Sequence, residues 1–100
     1  MHVITRKTLR AYGEAHAQVR EELNTLYAIW KAAGWVDFNA LRNDFPSADY
    51  IGDNRYVFNV KGNHFRVVVM IFFESQQLFI RGIFTHGEYS KLSKKQLATL

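Results

Sequence analysis

The segment YVFNVKGNHFRVVVMIFFES, residues 56–75, decides the fold of this chain. Its two apolar runs are rich in valine, isoleucine and phenylalanine, and the residues KGN lie between them. Residues of these types favour strands, and a glycine between two such runs is typical of a hairpin turn. We therefore predict an antiparallel hairpin. Its charged residues need an explanation, because Lys61, His64 and Arg66 lie beside the turn of a segment that is otherwise apolar.

The residues before the hairpin have the period of helices. A set of mainly apolar side chains recurs at alternating steps of three and four, which places them on one helical stripe. One unbroken helix is unfavourable in a chain of 100 residues, so we predict two helices, with a break between Gly13 and Gln18 and an end at Gly34. His16 lies on the stripe and is interpreted as a packed core residue. The stripe consists of Leu9, Tyr12, His16, Val19, Leu23, Leu26, Trp30 and Ala33.

The remaining segments complete an α+β pattern. Residues 35–54 place apolar anchors between turn formers and predict an ordered connection. QLFIRGIFT predicts a third antiparallel strand, and THGEYSKL predicts a helix that begins with a capping box of Thr85 and Glu88. Val3 and Ile4 can add a short strand. We therefore predict one α+β domain, residues 1–100, with two N-terminal helices on a mainly antiparallel sheet of three to four strands and a short C-terminal helix.

Composition narrows the function classes. The formal net charge is +4, and residues 51–100 contain seven basic and three acidic side chains, so nucleic acid is a candidate partner. The absence of cysteine excludes disulfides, thiolate zinc sites and a cysteine nucleophile. The start MHVITRKTLR has no secretory pattern, and no segment is long and apolar enough to span a membrane. We expect a cytoplasmic protein.

The first turn determines which side chains share a face of the sheet. A two-residue turn at residues 62–63 places Lys61 opposite His64 and Asn59 opposite Arg66. Because side chains alternate along a strand, these four lie on one face. The other face then packs on the helices and carries Phe58, Val60, Phe65 and Val67.

The second turn extends both faces. A turn at residues 75–76 places Arg66 opposite Thr85 and Met70 opposite Arg81, so Arg81 joins the polar face. The core face then gains Val69, Ile71, Phe73, Leu78, Ile80 and Phe84. Several apolar side chains share the polar face, which predicts a groove that a partner partly covers. They are Val57, Val68, Met70, Phe72, Phe79 and Ile83.

Three motifs, FPSAD, FNVKGNHFR and THGEY, resemble the HigB toxins, ribosome-dependent messenger RNA endonucleases of the RelE superfamily. The resemblance covers residues 35–92, with weaker support from the helical first third. It implies the family's fold, two helices on a curved antiparallel sheet with a short final helix, which agrees with the order of elements above. It also implies metal-independent RNA cleavage, in which the 2′-hydroxyl attacks the adjacent phosphate to give a cyclic phosphate and a 5′-hydroxyl.

The implied activity needs a base, an acid and cations at the phosphate. Arg66 and Arg81 are the expected cations, because a guanidinium matches phosphate oxygens with paired donors. Lys61 can add a third charge. We expect His86 and Tyr89 of the THGEY motif to serve as acid and base, and their order stays open.

Each of these expectations depends on local geometry. His86 reaches the groove only if the strand ends at Thr85, because strict alternation points it to the core; His64 is the substitute base. Tyr89 can exchange a proton if nearby cations lower its pKa. We expect no metal or other cofactor. The predicted RNA-binding residues are Asn59, His64, Lys91, Lys94 and Lys95.

The resemblance further implies partners. They are the ribosome with its translated mRNA, and a HigA-like antitoxin with a helix-turn-helix fold, which would bring the toxin to promoter DNA only indirectly. The antitoxin can cover the groove or bind the helices, where Glu14, Glu21 and Glu22 form a second surface.

Two other functions also fit parts of the pattern. A non-catalytic module similar to double-stranded RNA-binding domains has the same order of helix, three strands and helix, and SKKQLA resembles the basic patch of those domains. A helical dimerisation protein would use the N-terminal stripe, which is too short to specify a coiled coil.

Overall fold

Two helices precede the sheet, as the spacing of apolar residues predicts. In the computed structural model, which describes residues 1–100, helix α1 spans Arg6–Ala15 and helix α2 spans Arg20–Ala32. A 3₁₀ turn at Ala17–Val19 separates them, so the break lies within the predicted interval. His16 stacks on Tyr12 with 4.0 Å between the ring centroids and is half-buried, so it is a packed side chain at the margin of the core rather than within it.

The connection from residue 35 to 54 is ordered, as predicted, and contains more regular structure than the sequence indicates. Helix α3 spans Phe38–Asp44 and is capped by Asp37, whose carboxylate accepts a hydrogen bond of 2.9 Å from the Ala40 N–H. Trp35 anchors the segment in the core and donates from Nε1 to Asp44 at 2.8 Å. Strand β2 then spans Asp49–Gly52.

The sheet has five strands rather than three to four. Besides β2 they are His2–Ile4 (β1), Arg55–Val60 (β3), Phe65–Phe72 (β4) and Gln77–Thr85 (β5). β1 runs parallel to β5, and all other neighbours are antiparallel, in the order β1-β5-β4-β3-β2. The expected number of strands was too low because β2 lies within the connection, where polar turn residues surround it.

The first hairpin has the predicted register. Asn59 lies opposite Arg66, and the His64 N–H donates to the Lys61 carbonyl at 3.3 Å, which closes a two-residue turn. One face of this hairpin is buried against the helices, as expected. That face carries Phe58, Val60, Phe65 and Val67.

The register of the second hairpin was predicted incorrectly. Phe72 pairs with Gln77, so the loop has four residues, 73–76, instead of two. Met70 therefore pairs with Phe79 rather than with Arg81. A left-handed residue in the loop, Gln76 with φ 56°, gives no sequence signal comparable to a glycine.

A β-bulge at Arg81 changes the pairing again. Val69 pairs with Ile80 while Val68 pairs with Gly82, so Arg81 is an extra residue on β5. Beyond the bulge, Arg66 pairs with Phe84 rather than with Thr85.

The bulge also exchanges two side chains between the faces. Ile83, predicted on the polar face, packs against the core. Phe84, predicted in the core, lies on the outer face, where a Cβ at Gly82 would be 2.7 Å from its ring. One inserted residue shifts the alternation of a strand by one, which explains both errors.

The chain itself covers part of the outer face. Val57 and Val68 pair with each other on this face and are 2% and 0% exposed. The C-terminal segment lies here, since Arg55 donates from Nε and Nη2 to the Leu100 carbonyl at 3.2 and 2.7 Å. The expectation that a partner covers these two valines is therefore wrong. The segment forms two short helices, His86–Ser90 (α4) and Lys94–Ala98 (α5), where one was predicted.

None of the helices is long and apolar enough to cross a membrane.

Candidate active site

A polar cleft of about 470 Å³ lies where the β3–β4 turn, the 3₁₀ turn and the start of α4 meet. The predicted residues Lys61, His64 and His86 all line it. The other lining residues are Gln18, Phe65, Thr85 and Gly87.

A capping box brings His86 into this cleft. The Glu88 N–H donates to Thr85 Oγ1 at 3.2 Å, and the Thr85 N–H donates to Glu88 Oε1 at 2.8 Å. These bonds end the strand at Thr85 and begin α4 at His86, whose N–H donates to the His64 carbonyl at 2.8 Å. The same bonds lower the pKa of Glu88, with the Thr85 N–H as the largest cause. The condition stated for His86, a turn directly after Thr85, is met.

Arg66 connects the residues of the candidate site. Its Nη1 donates to the carbonyls of Asn63 and Phe65 at 2.9 and 3.3 Å. Its Nη2 lies 3.1 Å from Nδ1 of His86, and its guanidinium carbon lies 5.8 Å from the centroid of the Tyr89 ring. The fold therefore brings together Arg66, His86 and Tyr89, which come from β4 and α4.

Tyr89 is held in its protonated form. Partial burial raises its pKa, the carboxylate of Asp49 raises it further, and the Arg66 guanidinium lowers it by a smaller amount. The expectation that nearby cations lower this pKa is therefore wrong in its net direction. A tyrosine in this environment is a proton donor at neutral pH.

The family HigB_toxin, described as a RelE-like toxic component of a toxin-antitoxin system, matches residues 19–92. This chain belongs to the HigB toxin family. The matched range contains the hairpins and α4, and thus nearly all of the cleft.

Individual HigB proteins are similar over most of their length. The mRNA interferase toxin HigB of Escherichia coli K12 is 44% identical over 92 residues, which cover 89% of this chain and 88% of that protein. The mRNA interferase HigB of Shigella flexneri has the same values. The mRNA interferase HigB of Escherichia coli O6:H1 is 28% identical over 96 residues, covering 94% of this chain and 93% of that protein.

Two residues of the HigB site were missed by the sequence reasoning. Asp49 acts on Tyr89 through its charge, and its only signal was its place in the FPSAD motif, which was interpreted as part of the family resemblance and not as a site residue. Gln18 accepts a hydrogen bond of 2.7 Å from Lys61 Nζ through its carbonyl. Because this contact joins residues 43 positions apart, no local pattern indicates it.

The other predicted residues of this HigB-family chain lie outside the cleft. Arg81 is exposed at the bulge. Asn59 donates to the Ser47 carbonyl at 3.5 Å and lines a neighbouring groove with Glu21 and Glu22. The exposed lysines of the C-terminal segment are Lys91, directly after α4, and Lys94 and Lys95, at the start of α5.

Side chains that could act as metal ligands are dispersed in this HigB-family structure. No group of three or more His, Asp or Glu side chains is close enough to hold a metal ion. The cleft offers two imidazoles and an ammonium group, and the Arg66 guanidinium lies beside it in contact with His86.

Proposed function

We propose that this chain is an mRNA interferase, a ribosome-dependent endoribonuclease that cleaves translated mRNA and inhibits translation. The observation that carries the proposal is the contact of Arg66 with both His86 and Tyr89 beside the cleft. Membership of the HigB family and the names of the HigB relatives support it. Since translated mRNA lies in the cytoplasm, we place the reaction there.

The proposed reaction needs no metal ion. The O2′–P bond forms while the P–O5′ bond breaks; the proton of the 2′-hydroxyl passes to a base, and O5′ receives a proton from an acid. Arg66 and Lys61 offset the charge that develops on the phosphoryl oxygens. Tyr89 retains its proton and is the candidate acid, while the imidazoles of the cleft are candidates for the other roles.

The remaining basic residues extend the proposed RNA surface. Arg81 adds a cation on the outer face, and Asn59 adds a polar contact at its edge. Three exposed lysines, one directly after α4 and two at the start of α5, can neutralise phosphates without reading the base sequence. This group consists of Lys91, Lys94 and Lys95.

We further propose a cognate antitoxin, because the family consists of toxic components of two-part systems. A HigA-like antitoxin with a helix-turn-helix fold would bring the complex to promoter DNA, so that this chain reaches DNA only indirectly.

The proposed function is tested by induction in cells and mapping of mRNA 5′ ends. We expect new ends within translated reading frames, and none of these ends with Arg66→Ala, whose folding is checked by circular dichroism. Blocking translation initiation before induction should abolish the cuts, because the substrate is mRNA on the ribosome. Intact transcripts during growth arrest would contradict the proposal and favour a non-catalytic RNA-binding module.

The antitoxin is tested by co-expression with each adjacent small reading frame. We expect one product to restore growth and to co-elute with this chain in size-exclusion chromatography. If neither product does so, the proposed two-component system is wrong.

A further inference from the structure

The contact between Arg66 and His86 constrains where the imidazole carries its proton. Nη2 of Arg66 lies 3.1 Å from Nδ1 of His86, within hydrogen-bond distance. Arg66 cannot turn away freely, because its Nη1 donates to the carbonyls of Asn63 and Phe65. The guanidinium is therefore fixed on Nδ1 by its own hairpin.

Only one form of the imidazole can make this contact favourable. A guanidinium has five N–H donors, has no acceptor and stays protonated in proteins. Its partner nitrogen must therefore supply a lone pair, so Nδ1 of His86 is unprotonated. In a neutral imidazole the proton is then on Nε2.

We infer that Arg66 fixes His86 as the Nε2–H tautomer, and that His86 acts in the reaction as a hydrogen-bond donor to a phosphoryl oxygen rather than as the base. The inference rests on the proposed function for the identity of the substrate. Arg66 is thus a positioning residue for His86, in addition to its own charge at the phosphate.

The exposed position of His86 at the first residue of α4 supports this role. The capping box and the bond to the His64 carbonyl fix its backbone, and Arg66 fixes Nδ1. Nε2, at the opposite side of the ring, is left for the substrate. A donor held in this way stabilises charge on a phosphoryl oxygen without reorienting during the reaction, and its proton remains on nitrogen.

The assignment also limits the choice of base. With Nδ1 engaged and Nε2 protonated, His86 has no free lone pair for the 2′-hydroxyl proton. His64 is the other imidazole of the cleft and is exposed.

The first test measures the tautomer in the free protein by ¹⁵N NMR of the imidazole rings, at about pH 8 where imidazoles are neutral. We expect His86 to show a protonated Nε2 and a hydrogen-bonded, unprotonated Nδ1. In Arg66→Ala it should show the exchange between tautomers of an unconstrained ring. His64 is the internal control, and Arg81→Ala is the matched arginine control that should leave the His86 signals unchanged. A protonated Nδ1 in the unmodified chain, or identical His86 signals with and without Arg66, would overturn the inference.

The second test replaces His86 with glutamine or asparagine, whose side-chain amides place an N–H₂ donor at different positions of the former ring. The side-chain N–H₂ of His86→Gln reaches the position of Nε2, whereas that of His86→Asn reaches only that of Nδ1. If His86 is a donor, His86→Gln should cleave ribosome-bound mRNA at least about tenfold faster than His86→Asn or His86→Ala, since one such donor contributes 10²–10³-fold. Equal loss in all three variants would overturn the donor role.

The two tests separate this inference from the proposed function. The NMR test uses no RNA, so its result stands even if the unmodified chain cleaves none. If that chain is inactive while His86 has the expected tautomer, the proposed function is wrong and the positioning by Arg66 is retained.

Discussion

At the residue scale, Arg66 shows how a single cation organises the site. Its guanidinium is directed at three acceptors, two of them carbonyls of its own hairpin, and it lies over the Tyr89 ring. In the proposed reaction a phosphate would meet a guanidinium whose orientation is already fixed, which would reduce the entropy lost on binding. Arg81 differs, because it is exposed at a bulge.

This difference leads to a prediction for Arg81→Ala. We expect toxicity to be lowered, because the proposed RNA surface loses a cation, while the free energy of unfolding changes by less than about 0.5 kcal/mol, because an exposed arginine contributes little to stability. Growth after induction and urea denaturation measure the two effects. Arg10→Ala, an exposed arginine on α1, is the matched control and should remain toxic. Full toxicity of a folded Arg81→Ala protein would remove Arg81 from the site.

Asp49 gives a second prediction at this scale. Its carboxylate raises the pKa of Tyr89, so Asp49→Asn should lower that pKa, and Arg66→Gln should raise it because it removes a cation. The measurement is an alkaline titration of tyrosinate absorbance, with Tyr89→Phe used to identify the Tyr89 signal. An unchanged or higher pKa in Asp49→Asn would show that the carboxylate does not act on this ring.

At the element scale, the end of β5 determines what the site contains. The bulge at Arg81 places Phe84, rather than Ile83, opposite Arg66 on the outer face. The capping box then ends the strand and turns His86 toward the cleft. The position of His86 thus depends on the change from β5 to α4, which takes place between Thr85 and His86.

The capping box can be tested through its hydroxyl. Thr85→Ala should lower the free energy of unfolding by about 1 kcal/mol, the typical cost of losing an N-cap, and should lower activity because His86 is no longer fixed. Thr85→Ser keeps the hydroxyl and should retain both properties. Thermal unfolding and an mRNA cleavage assay measure them. Equal behaviour of the alanine and serine variants would mean that the hydroxyl does not position His86.

At the scale of the whole molecule, the sheet separates two environments. One face packs on the helices around Trp30 and Phe58, which lie 5.2 Å apart between ring centroids. The other face carries the polar site and is partly covered by the C-terminal segment. Three tyrosines are partly buried, and this burial is the largest cause of the raised pKa of Tyr12, Tyr56 and Tyr89.

These three tyrosines predict the alkaline stability of the protein. The folded state keeps their protons above pH 10.0, where the unfolded state loses them, so it binds more protons in that range. Below that pH these tyrosines should therefore not make the free energy of unfolding depend on pH. Above it, the free energy of unfolding should fall as the pH rises. Urea denaturation at a series of pH values measures the slope.

Tyr12→Phe is the informative variant for this profile. The Tyr12 hydroxyl is buried without a hydrogen-bond partner, so its removal should not destabilise the protein at neutral pH. In Tyr12→Phe the free energy of unfolding should fall less steeply with rising pH in the alkaline range. A slope equal to that of the unmodified chain would contradict burial of Tyr12 as a source of the pH dependence.

The sequence by itself determined the features that depend on local pattern. The helical period predicted both long helices and the break near His16, and Gly62 predicted the first turn and hence the pairing of Asn59 with Arg66. The spacing of Thr85 and Glu88 predicted the capping box. The family resemblance, now supported by the family match, came from short motifs in these same segments.

Only the tertiary structure decided how these segments meet. The loop at residues 73–76 and the bulge at Arg81 shifted the register of β5, because pairing depends on the neighbouring strand and has no signature along the chain. The contact of Lys61 with Gln18 and the effect of Asp49 on Tyr89 likewise join residues that are distant in sequence. Hydrogen bonds and charges act through distances in space, so the environment of the predicted residues was fixed only when the folded chain brought their partners within reach.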